Sequence, residues 1–301
     1  MRIASSQIHQ SAVTAMLDNQ TQIHKTQQQL SSGKRVLTPA DDPSAAAKIL
    51  SLNQSIDITT QYQRNTDAAR TRLSLEETTL TGVGDVLQRV RELAVQANNG
   101  SQSANDRKAI SAEVRQLSEQ LLSLGNTKDS SGEYLFAGFR AGTAPFTDNG
   151  GGTIIYNGDQ GVRQLQIGPD RHVEVGDSGA SVFMNLPASA GGVQDMFATL
   201  NTFADNLDAN APVTATITDL DTALQSVLTT RSKIGARLNA IDSQTDVNAG
   251  YLLHVQSALS SVQDLDYADA ISRYNQQTQA LQAAQDSYAK IQGLSLFNYI
   301  R

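Results

Sequence analysis

The stretch ITDLDTALQSVLTTRSKIGARLNAIDSQTDVNAGYLLHVQSALSSV, residues 217–262, decides the fold. Alternating steps of three and four put Ile217, Leu220, Leu224, Val227, Arg231, Ile234, Leu238, Ile241, Thr245, Asn248, Leu252, Val255, Leu259 and Val262 on one helical face. Only Arg231, Thr245 and Asn248 interrupt the apolar stripe. One helix of that length runs roughly 70 Å at 1.5 Å per residue, more than the width of a compact domain, so the pattern predicts a rod.

Working outward, a second stripe reads Ala69, Leu73, Glu76, Leu80, Val83, Leu87, Val90, Ala94 and Ala97, and stops at Asn98-Asn99-Gly100. A third follows Asn105-Asp106 with Ile110, Val114, Leu117, Leu121 and Leu124, and ends at Gly125. The three stripes predict one antiparallel bundle, each buried Leu or Ile contributing about 1.5–3 kcal/mol.

Between the second half of the bundle and the first, Gly, Thr and β-branched residues take over from about Tyr134 to Leu186. Thr153-Ile154-Ile155-Tyr156, Asn157-Gly158 and the run from Val162 to Ile167 together predict a hairpin, because Asn-Gly supplies the positive φ of a tight turn. Strands are expected around His172 to Val175 and Val182 to Leu186, with Gly-rich joints at Gly142 and Gly191-Gly192. The fold class is therefore mainly α with a small β insertion.

Both ends differ from the middle. Ile8, Ala12, Met16, Asn19, Ile23, Thr26 and Leu30 form a thin stripe near the start, mirrored by Ile271, Tyr274, Leu281, Ala284, Tyr288 and Ile291 near the end. Uncharged Gln, Asn, Ser and Thr supply most of the remaining surface of these helices. Because helix nucleation is costly, such interrupted stripes are expected to be labile alone and to complete their burial inside an assembly. Expected boundaries are an assembly helix over 1–40, rod halves over 41–140 and 193–254, the β insertion over 141–192, and a second assembly helix over 255–301.

Composition narrows the function classes. A formal net charge of −7 with scattered Lys and Arg argues against nucleic acid as a partner. The absence of Cys removes thiolate nucleophiles and Cys-based metal sites. No run approaches the roughly 20 apolar residues of a membrane span, and residues 1–29 lack the apolar core of a secretory signal. Aromatic residues make up 5% and Trp is absent, so large aromatic clusters of the kind that line many ligand pockets are not expected and the core should be mainly Leu, Ile, Val and Ala.

Apparent catalytic motifs have plain alternatives. Gly176-Asp177-Ser178-Gly179 copies a serine-nucleophile motif, but Ala180 follows it, His9 and His24 sit on a terminal helix expected to be labile, and the β segment is too short for two barrels, so it reads as a tight turn. His9, His24, His172 and His254 lack metal-ligand spacing, and Asp264, Asp266 and Asp269 lack a Gly-centred calcium loop, reading as helix-face or capping residues. Gly82-Val83-Gly84 lies inside a helical stripe and is no dinucleotide loop. No catalytic residue, cofactor or metal is expected.

The joint after the first helix is more informative. Gly33 is placed to end that helix, and Asp42-Pro43 to open the next by capping and by Pro at the first turn. Leu30-Ser31-Ser32-Gly33-Lys34-Arg35-Val36, Asp41-Asp42-Pro43, the segment from Leu87 to Gly100, Ile234-Gly235-Ala236-Arg237-Leu238-Asn239 and Tyr267-Ala268 resemble the bacterial flagellins and their hook–filament junction relatives. Met1-Arg2-Ile3, Gly132-Glu133-Tyr134-Leu135-Phe136-Ala137-Gly138 and the ending Leu294-Ser295-Leu296-Phe297-Asn298-Tyr299-Ile300 are closer to the junction members. The resemblance covers roughly 200 residues at the two ends and leaves out the insertion.

That resemblance implies an extracellular structural subunit at the hook–filament junction, exported without a cleaved signal peptide through the flagellar type III channel. Implied partners are other copies of itself in a tubular ring, a neighbouring hook-associated protein, flagellin and an export chaperone. The anchors expected to make subunit contacts are Ile8, Met16, Ile23, Leu30, Ile271, Tyr274, Leu281, Tyr288, Phe297 and Tyr299. Arg89, Leu93 and Glu113 fall where flagellins meet an innate immune receptor, and equally suit a helix-packing face. A short flagellin and a non-flagellar coiled-coil module are the alternative readings.

Overall fold

A computed structural model describes residues 2–150, 152–189, 191–212 and 214–293. Helix α1 spans Arg2–Ser32, α2 Pro43–Ala97 and α3 Ala104–Gly125. Strands β1 (Phe146–Asp148), β2 (Ile154–Tyr156), β3 (Gln164–Gly168) and β4 (Arg171–Glu174) follow, then a π-helical turn over Ala180–Met184. Strands β5 (Leu186–Pro187) and β6 (Val193–Gln194) precede α4 (Met196–Asp208), α5 (Ala215–Gln263) and α6 (Tyr267–Gly293). The chain divides into two compact units, 1–58 with 251–301 and 59–250, and the long helices α2 and α5 contribute to both.

In the unit formed by residues 59–250 the expected stripes become the core. Leu73, Leu80, Val83, Leu87 and Val90 of α2, Ile110, Val114 and Leu121 of α3, and Leu220, Val227, Ile234 and Ile241 of α5 are all buried. Helix α5 is continuous over 49 residues, as the stripe over 217–262 requires. Antiparallel pairing with α2 is fixed from outside the core by Arg70–Asp242 at 2.5 Å, Arg231–Glu77 at 2.8 Å and Arg91–Asp221 at 2.5 Å. Helix α3 opens on a capping box in which Ser103 and Asp106 satisfy one another's backbone N–H groups.

The core is mainly Leu, Ile, Val and Ala, as expected, but it also holds an aromatic cluster that was not. Five of the seven Phe residues, Phe136, Phe146, Phe183, Phe197 and Phe203, are fully buried. Phe146 lies at its centre, with ring centroids 5.1 Å from Phe197, 5.2 Å from Phe183 and 5.4 Å from Tyr156. A low average aromatic share concealed this concentration. Helix α4 also escaped the sequence reading, although Met196, Leu200, Phe203 and Leu207 recur at helical spacing behind the Asp195 cap, and all four are buried. It lies antiparallel on α3 through Ser111 to the Ala204 carbonyl at 3.0 Å, Ser118 to Asn201 at 3.1 Å and Arg115 to Asp205 at 2.7 Å.

The expected hairpin around Asn157-Gly158 does not form. Instead β1 pairs with β2 and β3 with β4, each antiparallel. Neither Asn157 nor Gly158 adopts positive φ; the β1–β2 connection uses Gly150 and Gly152 for that purpose. Asn157 is committed elsewhere, its N–H to the Pro145 carbonyl and its side chain to Thr147. Gly158 lies so close to the Tyr156 ring that a Cβ would come within 2.5 Å of it. The strand expected over 182–186 is also corrected: Val182 and Phe183, adjacent in sequence, are both buried, which a one-faced strand forbids and a helical turn permits.

The other unit is built differently. Among its described residues the buried side chains are Thr26, Gln29, Val36, Ala45, Val255, Leu265 and Ala270, small or polar for the most part. Helices α1 and α6 pack antiparallel, with Thr26 donating to Gln277 at 2.9 Å and the His9 and Tyr288 rings meeting edge to face at 5.7 Å. Among the described residues no helix is long and apolar enough to cross a membrane.

Candidate assembly site

The unit containing both chain ends has a fastened joint and a lightly filled helix pair. At the joint, residues 33–35 and 263–265 clasp one another: Arg35 N–H donates to the Gln263 carbonyl at 2.8 Å, and Leu265 N–H to the Gly33 carbonyl at 3.0 Å. Gly33 terminates α1 at φ +69°, the left-handed conformation of a helix-ending glycine. The Arg35 guanidinium reaches the Val262 carbonyl at 3.1 Å, satisfying an acceptor at the end of α5, and touches Asp42 at 3.3 Å.

Two adjacent carboxylates organise the following turn. Asp42 accepts the Ala45 N–H at 2.9 Å and so opens α2, as the Asp-Pro pair foretold. That bond, with help from Arg35, lowers the Asp42 pKa. Asp41 accepts N–H groups from Thr38 at 2.9 Å and Leu37 at 3.2 Å and pairs with Lys25 at 2.6 Å. The lysine first, then the backbone donors, bring the Asp41 carboxyl down to about 2. On the opposite chain end Asp266 caps α6, accepting N–H bonds from Ala268 at 2.9 Å and Asp269 at 3.2 Å, while Asp264 pairs with Ser260.

The expected anchors fall unevenly on this unit. Met16, Ile23 and Leu30 on α1 and Tyr274, Leu281 and Tyr288 on α6 are half-buried, whereas Ile271 is 49% exposed. The pairing of His9 with Tyr288 brings the far ends of the two stripes together. The side chains of Ile8 and Ile291, and all of Phe297 and Tyr299 with the rest of the Leu294–Ile300 motif, lie outside the described residues. Sequence reasoning passed over Val13, Leu17, Leu50 and Leu253, which also expose much of their apolar surface here. Interruptions in the stripes gave no signal for them, since they lie off its main line.

The remaining candidates take structural positions. Ser178 is buried, donates to the Asp159 carbonyl at 3.1 Å and shares a 3.2 Å hydrogen bond with the Tyr156 hydroxyl. Neither partner is an imidazole that could take its proton. Among the described residues no group of three His, Asp or Glu side chains is arranged to hold a metal. Leu93 is buried in the core, and Arg89 pairs with Glu113 at 2.8 Å, so only part of that helix face is open to a partner.

Comparison with known proteins agrees with this arrangement. The bacterial flagellin N-terminal helical region matches residues 3–141, and the flagellin C-terminal helical region matches residues 217–300. The chain is 32% identical to flagellar hook-associated protein 3 of Escherichia coli, aligned over 99% of each chain. It is 30% identical to the protein of the same name from Salmonella typhimurium over 100% of each. A crystal structure of flagellar hook-associated protein 3 from Legionella pneumophila superposes with a TM-score of 0.65 at 24% identity, covering 71% of this chain and 98% of that one. That likeness shows the fold, which the two long helices and the small hairpins share.

Proposed function

This chain belongs to the flagellin family, in the branch of flagellar hook-associated protein 3, and from that premise we propose that its two terminal helices are the element that seats it between hook and filament. It is a structural subunit of the bacterial flagellum. The adaptor joins a neighbouring hook-associated protein on one side to flagellin on the other, as one copy in a tubular ring.

The observation that carries this reading is the contrast between the two units. Residues 59–250 enclose a dense aliphatic and aromatic core, whereas the described residues of the unit holding both ends bury few large apolar side chains beyond Val36, Val255 and Leu265 and leave Val13, Leu17, Leu50, Ile58, Tyr251, Leu253, Tyr267 and Ile271 exposed. Residues 59–250 also expose Val95, Phe139, Ile155, Val193, Leu228 and Val247, so what sets the end-bearing unit apart is its thin core, and its exposed apolar side chains supply area for neighbours to cover. Met16, Ile23, Leu30, Tyr274, Leu281 and Tyr288 are the anchors, joined by Ile8, Ile271, Phe297 and Tyr299. Residues 1–40 and 255–301 act as assembly helices, 41–140 and 193–254 as the halves of the rod, and 141–192 as the outward insertion.

The same lability suits export. Subunits pass unfolded through the type III channel, escorted by a chaperone, and the ends order on docking. No step of this role calls for catalysis. Deleting residues 1–30 or 270–301 tests it: the truncated subunits should fail to enter the junction and support no filament. Continued filament growth would refute the proposal. A short flagellin is distinguished by polymerisation of the purified protein alone into long filaments, which the adaptor should not do.

A further inference from the structure

The stripe of α2 carries one acid into the core. Glu76 is 1% exposed; its Oε1 accepts the Asp177 N–H at 3.0 Å, and its Oε2 has no hydrogen-bond partner. A carboxylate stripped of water ordinarily recruits a cation. Here the cations are already taken. From α2, Arg72 is bonded to Asp129 at 2.7 Å and approaches Glu133 at 3.7 Å. Arg163, ahead of β3, holds Glu133 at 2.6 Å. From α5, Arg237 holds Asp177 at 2.7 Å and Glu174 at 2.5 Å, and Arg231 holds Glu77 at 2.8 Å.

The charges close without Glu76. Arg72, Arg163, Arg231 and Arg237 face Asp129, Glu133, Glu174, Asp177 and Glu77, so the carboxylates already outnumber the guanidiniums. Ionising Glu76 adds a surplus anion at the most buried position, beside Asp177. We propose that Glu76 is a proton-operated latch: neutral, it seats residues 174–179 against α2, and its ionisation drives that segment off. The segment leads directly into Ser178 and the π-helical turn that carries Phe183, so its release loosens the edge of the aromatic core.

Burial first, then Asp177, raises the Glu76 pKa to about 8, which sets the range in which the latch operates. The folded value stands above the unfolded one, near 4.5. Stability from the latch is therefore complete below about 4.5 and is lost as pH rises through about 8. This device is independent of the assembly site, and its test reads only residues 59–250.

Hydrogen exchange of the full chain between pH 5 and 9.5, corrected for intrinsic rates, measures it. Peptides spanning 174–184 should open about tenfold more for each pH unit up to about 8 and then level off, one pKa unit being a factor of ten. Glu76→Gln, which mimics the neutral acid, should abolish that slope. Asp177→Asn keeps the backbone donor, removes the like charge and frees Arg237, so the plateau should move to lower pH. Infrared spectra at pH 7 should show a protonated carboxyl band that Glu76→Gln removes. A flat profile in the parent protein, an unchanged slope in Glu76→Gln, or absence of the band would overturn the latch.

Discussion

Replacing Gly33 by Ala should loosen the clasp between the chain ends by about 1–3 kcal/mol. The left-handed φ of +69° costs an L side chain about 1–2 kcal/mol, since its Cβ approaches the following carbonyl. A Cβ built at this position also meets the Tyr267 hydroxyl at 2.8 Å. Because Tyr267 is 52% exposed, its ring can swing aside, which keeps the second contribution to about 1 kcal/mol. The two parts separate experimentally. Tyr267→Phe in the Gly33→Ala background should recover only the steric part, while Gly33→Asn should relieve the strain and keep the clash. Hydrogen exchange at Arg35 and Leu265, whose N–H groups bond across the joint, reads the effect directly. Their protection should fall roughly 5- to 150-fold, at 1.4 kcal/mol per factor of ten. Gly100→Ala is the control, because neither positive φ nor a neighbour within 4 Å constrains it. Unchanged protection in Gly33→Ala would refute the argument that this glycine is required by conformation.

Other predictions concern the core, the joint and the anchors. Phe146→Ala should lower the unfolding free energy by about 3–5 kcal/mol, because its ring touches those of Tyr156, Phe183 and Phe197; chemical denaturation checks this. With its pKa held down at about 2, Asp41 stabilises the joint above about 4, and that contribution should vanish as pH falls through about 2. An NMR titration of the side-chain carboxyl should find this midpoint in the parent and a higher one in Lys25→Met. Leu281→Asp should leave the denaturation midpoint of residues 59–250 within experimental error and strongly reduce junction incorporation, measured by complementation of a strain lacking the subunit.

The long helices and the caps were legible because their signals are local. A stripe at helical spacing needs only its own residues, and Asp42 reaches the N–H of Ala45 within the same turn. Strand pairing was not legible for the opposite reason. Whether Tyr156 precedes a hairpin turn depends on its hydroxyl bonding the Phe136 and Asp159 carbonyls, a tertiary choice that Asn157-Gly158 does not announce. The aromatic cluster was hidden by an average over the whole chain, whereas Phe136, Phe146, Phe183, Phe197 and Phe203 all come from residues 136–203. Glu76 stood in plain view within an apolar stripe. Its position predicted burial, but its charge state depends on Arg72 and Arg237 being paired elsewhere, which only the folded arrangement reveals.

Electron microscopy of isolated flagella decorated with gold-labelled antibody against residues 141–192 tests the central claim most directly. A subunit seated by its terminal helices between hook and filament should place label in a single narrow band where the two meet. Label along the length of the filament would contradict that seat and make the chain a filament subunit, and flagella without label would contradict both.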